Sequence, residues 1–104
     1  MDAQEARYHL YHALATKNLT QYVNALVIDE DKIYILTERP GLIIGKHGET
    51  ITAVTQEMQS HHNFNTLEIR IIEYNPFEHG LIAVLTRHIP KKVYEAGNLF
   101  EAIM

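Results

Sequence analysis

Two glycines with a lysine and a histidine between them, Gly45-Lys46-His47-Gly48, are the residues of this chain whose types and spacing best fit a chemistry. That chemistry is the grip of an anion. Glycine takes positive φ without strain and leaves no Cβ in front of its amide, so two of them three apart let a short loop offer bare N–H groups to a phosphate. A helix beginning at about Glu49 aims its free N–H groups and the positive end of its dipole at the same loop. Lys46 adds a mobile cation, and His47 a charge that depends on pH. Just upstream, Arg39-Pro40-Gly41-Leu42-Ile43-Ile44 brings a further cation, a proline suited to start a helix, and an apolar triplet.

Other chemistries find less support. The chain has no cysteine, which removes thiolate nucleophiles, disulfides and thiolate metal sites. Its one serine, Ser60, stands beside His61 where a helix should end, and reads as a cap or loop residue. No carboxylate pair is fixed in space by its spacing, so no catalytic residue is assigned, and an enzyme is not expected. His9 and His12 share a helix face and His61 and His62 are adjacent, each pair half of a metal site with no third ligand, so neither a metal nor a cofactor is assigned. Asp29-Glu30-Asp31 lacks the glycine turn and distal glutamate of a calcium loop and reads as a solvated tip.

The elements that must hold the loop follow from periodicity. Ala6, Leu10, Ala13 and Leu14 make one stripe at helical spacing, predicting a helix over residues 2–17. Residues 22–28 and 32–37 are β-rich runs around the acidic turn, a hairpin in which Ile33, Ile35 and Thr37 point inward. Pro40 opens a short helix that Gly45 must end. Ile51, Val54 and Met58 predict the next helix, over 50–60, and Leu67, Ile69 and Ile71 alternate with charged residues in a third strand over 66–74. Between these two, His61-His62-Asn63-Phe64-Asn65 reads as a polar connection.

The order helix, strand, strand, short helix, glycine loop, helix, strand, together with the segment from Arg39 to Glu49, resembles the type II K homology (KH) domain. The likeness covers about residues 1–75 and is nearest to the KH domain of the bacterial small-subunit ribosomal protein that carries one near the mRNA entry site. It implies an α+β fold, α-β-β-α-α-β, with a three-stranded mixed sheet and its helices on one face. It also implies that the loop from Gly45 to Gly48 clamps the backbone of about four nucleotides of single-stranded RNA or DNA. The bases would lie in an apolar groove lined by Ile43, Ile44 and Ile51, with the loop over residues 61–65 closing the other side. Arg39, Lys46 and His47 would be its cationic members.

Composition bounds this reading. At 104 residues the chain has the size of one domain, and its net charge of −4 argues against a protein that coats nucleic acid along its whole surface. The N-terminus lacks the basic-then-apolar order of a signal peptide, and the longest apolar runs, such as residues 81–85, are too short to span a bilayer. A cytoplasmic protein with no membrane partner is expected. Residues 76–104 form an extension in which Leu81, Ile82, Leu85 and Ile89 suggest a helix over 79–88, and Val93, Tyr94, Leu99, Phe100 and Ile103 a second. Such apolar helices need a surface. They either fold back on outward strand residues such as Tyr34, Leu36, Ile72 and Tyr74 or make a homodimer or protein-partner contact, and an assembly module is the alternative to nucleic-acid binding.

Overall fold

The computed structural model describes residues 3–61, 64–75, 77 and 101–102. Helix α1 (Ala3–Ala15) buries the stripe expected of it, Ala6, Leu10, Ala13 and Leu14. It stops in a Schellman arrangement: Asn18 takes φ 56° while the Asn18 and Leu19 N–H groups donate to the carbonyls of Ala15 and Leu14. Leu19 and Val23 then pack into the core around a 3₁₀ turn, Thr20–Tyr22, so the first strand starts three residues later than its β-rich sequence suggests.

Strands β1 (Ala25–Asp29) and β2 (Lys32–Thr37) pair antiparallel about Glu30-Asp31, with Glu30 at φ 55°. The chain then crosses through helix α2 (Pro40–Ile44), a 3₁₀ turn (Lys46–Gly48) and helix α3 (Glu49–Gln59) to β3 (Glu68–Glu73), parallel to β2. The exit from β2 is fixed twice, by Arg39 N–H donating to Thr37 Oγ1 (2.9 Å) and Glu38 N–H donating to Asn24 Oδ1 (3.0 Å).

The expected mixed sheet is present, with β2 at its centre. A two-residue strand β4 (Glu101–Ala102) extends it, pairing antiparallel with Leu26 and Ala25 to give the order β3-β2-β1-β4. A helix was expected to run through these two residues; instead they take up backbone groups on the free edge of β1. The rest of the tail, including the helix expected over 79–88, lies outside the described residues.

Val54 and Met58 of α3 and Ile43 of α2 join the α1 stripe over Leu26, Ile33 and Ile35, all buried. Ala25, Val27, Tyr34, Leu36 and Ile72 form a second buried cluster on the other face of the sheet, with Tyr74 packed against it. Among the described residues no helix is long and apolar enough to cross a membrane.

Candidate nucleic-acid interface

The turn between α2 and α3 depends on three unusual backbone conformations in four residues. Gly45 lies at φ 79°, ψ 172°, a region essentially reserved for glycine, and a Cβ there would come within 2.6 Å of Thr50 Cβ and 2.9 Å of Thr50 N. His47 (φ 56°, ψ 23°) and Gly48 (φ 74°, ψ 12°) are both left-handed, but a Cβ on Gly48 would meet open space. The first glycine is therefore needed for fit as well as for its dihedrals, the second for dihedrals alone.

Three bonds hold the turn: Gly45 N–H to Gly41 O (2.9 Å), Gly48 N–H to Gly45 O (3.1 Å), and Glu49 N–H to Lys46 O. None of them uses the N–H of Lys46 or of His47. Both of these residues are exposed, at the N-terminus of α3. The turn thus sets one ammonium and one imidazole, both on exposed residues, at the N-terminus of α3, the end of a helix that favours negative charge. Glu49, in the first turn of α3, opposes this with an exposed carboxylate.

Beside the turn runs a cleft of about 330 Å³ between α3 and β3, lined by Ile51, Thr52, Thr55, Gln56 and Gln59 from the helix and Ile69 from the strand. Gln59 Nε2 donates to Leu67 O (2.9 Å) and ties the end of α3 to the approach to β3. Among the described residues β3 is an edge strand, so its outer backbone N–H and C=O groups face away from β2 with no neighbouring strand among them. The cleft therefore joins an apolar floor to side-chain amides, hydroxyls and a strand edge.

The expected site residues divide between several places. Gly45, Lys46, His47 and Gly48 form the turn, and Ile51 lines the cleft one helical step away. Ile44, at the end of α2 beside Gly45, is partly exposed. Ile43 was expected in the groove, but it is fully buried in the core. The reason is helical geometry: in a five-residue helix only one side of the apolar triplet faces the sheet, and Ile43 occupies it. Leu42 is turned the other way, toward a separate cleft with Lys17, Leu19 and Ala53. Arg39 is exposed at the far end of α2, about 9 Å along the helix from Gly45 at 1.5 Å per residue.

Thr52, Thr55, Gln56 and Gln59 went unnoticed in the sequence, and Ile69 was read as a strand residue without a place in the site. The signal was present, since 51, 52, 55, 56 and 59 form a helical stripe next to the buried one at 54 and 58. What sequence alone lacked was the strand opposite. Beyond the end of α3 Phe64 is buried in the core, edge-on to His9 and His61, whose rings stack at 3.8 Å. The supposedly polar connection is thus anchored to α1, although His62 and Asn63 lie outside the described residues. His9 stacks on His61, while the rings of His12 and Tyr8 lie 6.4 Å apart. Arg70, on the opposite face of β3 from Ile69, is held more firmly protonated by its 2.9 Å bond to Glu68 and takes no part in the cleft.

A family model described as the KH domain matches residues 5–73. No curated protein and no solved structure matches the chain.

Proposed function

The chain belongs to the KH domain family, whose members bind nucleic acid, and on that premise we propose that it binds single-stranded RNA, or single-stranded DNA, through the turn from Gly45 to Gly48 and the cleft between α3 and β3. The observation that carries this reading is the continuity of the two parts. The glycine turn at the start of α3, whose own bonds leave the Lys46 and His47 N–H groups unused, adjoins a cleft lined by Ile51 and Ile69 together with threonine and glutamine side chains. A duplex would not fit such a site, because its bases are stacked away from any groove floor. A single strand can lay its backbone on the turn and its bases over Ile51 and Ile69, where Gln56, Thr55 and the edge of β3 meet their hydrogen-bonding sides.

The element order and the parallel pairing of β2 with β3 support the type II form of the family, with residues 1–75 as the binding module. The role is binding, and no catalytic step is assigned.

The test is fluorescence anisotropy with a labelled single-stranded RNA of random sequence. Replacing Lys46 and His47 together by Asp reverses the charge of the turn and keeps its backbone, since Asp tolerates the left-handed conformation held by His47. Binding should fall at least tenfold with the thermal melt unchanged. Parental affinity in this folded variant would refute the site.

A further inference from the structure

The cleft between α3 and β3 is lined by four polar side chains, and they differ in what is already spent. Thr55 Oγ1 donates to Ile51 O (2.8 Å), and Gln59 Nε2 donates to Leu67 O (2.9 Å). Both donations hold the protein together. Thr52 and Gln56 are exposed in the same cleft, and among the described residues neither side chain has a hydrogen-bond partner.

These two uncommitted groups are unequal as readers of a base. A threonine hydroxyl rotates and both gives and accepts a proton, so it meets donor and acceptor alike and separates no base from another. A carboxamide holds its acceptor and its donor side by side in one plane, and so demands an adjacent donor and acceptor of its partner. Gln56 is also well placed along the strand. It stands about 12 Å beyond Gly48 at 1.5 Å per residue, on the helical stripe that passes through Thr52. A strand gripped at the turn therefore meets it while still in the cleft.

Adenine answers the demand twice. Its N6 amino group and N7 make one donor-acceptor pair, and N6 with N1 makes a second on the adjoining edge. Cytosine and uracil present theirs on one edge only, and the N7 edge of guanine carries two acceptors, N7 and O6. Adenine alone satisfies the carboxamide with one edge and keeps a donor-acceptor pair on the other. That second pair suits the outer backbone of β3, which has no neighbouring strand among the described residues. Its two rings also cover more of Ile51 and Ile69 than a pyrimidine does.

We propose that Gln56 selects adenine at the base position over Ile51 and Ile69, with N6–H donating to Oε1 and Nε2–H donating to N7 or N1. This rests on the strand lying in the cleft as proposed above. It adds a sequence preference that contacts to the sugar-phosphate backbone at the turn do not supply.

The test is fluorescence anisotropy of the full chain with labelled uridine octamers. One internal position carries uridine, cytidine, guanosine, adenosine or purine riboside, which is adenosine without its N6 amino group. The adenosine octamer should bind about fivefold or more tighter than each of the others, the lower end of what a good bidentate pair discriminates. Gln56→Ala, at an exposed helical position that suits alanine, should bring that ratio to within about twofold. Gln56→Glu keeps the shape and turns the donor into a second acceptor, so guanosine, with its adjacent N1–H and N2–H donors, should move ahead of adenosine. Equal binding of all the octamers, a purine riboside octamer that matches adenosine, a ratio that survives Gln56→Ala, or adenosine still foremost with Gln56→Glu would each overturn the selection. In all of these the strand still binds, so the turn and the cleft stand without it. Failure of every octamer to bind would instead remove the site, and the selection with it.

Discussion

At the scale of single residues, the two glycines of the turn are equivalent in sequence and unequal in structure. Gly45 combines an almost glycine-only conformation with a Cβ path blocked by Thr50, whereas Gly48 is a left-handed helix cap facing open space. Gly48→Ala should therefore cost about 1 kcal/mol, and Gly45→Ala about 3 kcal/mol because overlap with the Thr50 backbone adds to backbone strain. Urea denaturation of the two variants checks the order; equal midpoints would contradict it. Glu49 invites a prediction of the opposite sense. Its carboxylate stands in the first turn of α3, where a bound phosphate would meet it, so Glu49→Gln should tighten RNA binding about threefold at low salt. Anisotropy titrations of parent and variant read this directly, and weaker binding by the variant would show that the acid organises the turn instead of opposing the ligand.

Between elements, the site is a relation of α3 to β3, and that relation was only half legible in the sequence. The buried stripe of α3, the inward alternation of β3 and the glycine turn could each be read from their own spacing. The pairing of Ile51 with Ile69 could not, because it depends on a parallel crossover that sets the strand edge beside the helix. Ile43 was misplaced for the same reason: an apolar triplet does not say which of its members a five-residue helix turns inward. Phe64 was hidden by polar neighbours, though it is buried beside His9 and His61 and ties the connection after α3 to α1. One hydrogen bond, from Gln59 to Leu67 O, spans this junction. Gln59→Ala should lower stability by about 1 kcal/mol, and it should weaken RNA binding as well, because the cleft loses a wall contact and a polar rim group together. Calorimetry and anisotropy on one preparation separate the effects; a stability loss with unchanged affinity would remove Gln59 from the site.

For the molecule as a whole, the governing fact is a net charge of −4 on a protein proposed to bind a polyanion. Basic nucleic-acid proteins gain affinity steadily as salt is lowered, because attraction over the whole surface adds to the local contacts. Here the two terms oppose each other. About three phosphates gripped at the turn should give a slope of log affinity against log salt near −2 for a single strand. At about 0.1 M salt the screening length is about 10 Å and the ligand senses mainly the turn. At about 0.01 M it grows to about 30 Å, comparable to the 33 Å longest dimension of the molecule, and the acidic remainder comes into range. The plot should therefore follow a slope near −2 at moderate salt and flatten at the low end, where a basic domain would keep rising. Duplex DNA of equal length should show no binding at either extreme, since it can use neither the cleft nor a broad basic face. Titration of a short labelled single strand across this range decides the matter: a slope steeper than about −4 would mean that cations well away from Lys46 and His47 carry the binding, and the assignment of the turn as the anchoring site would fail.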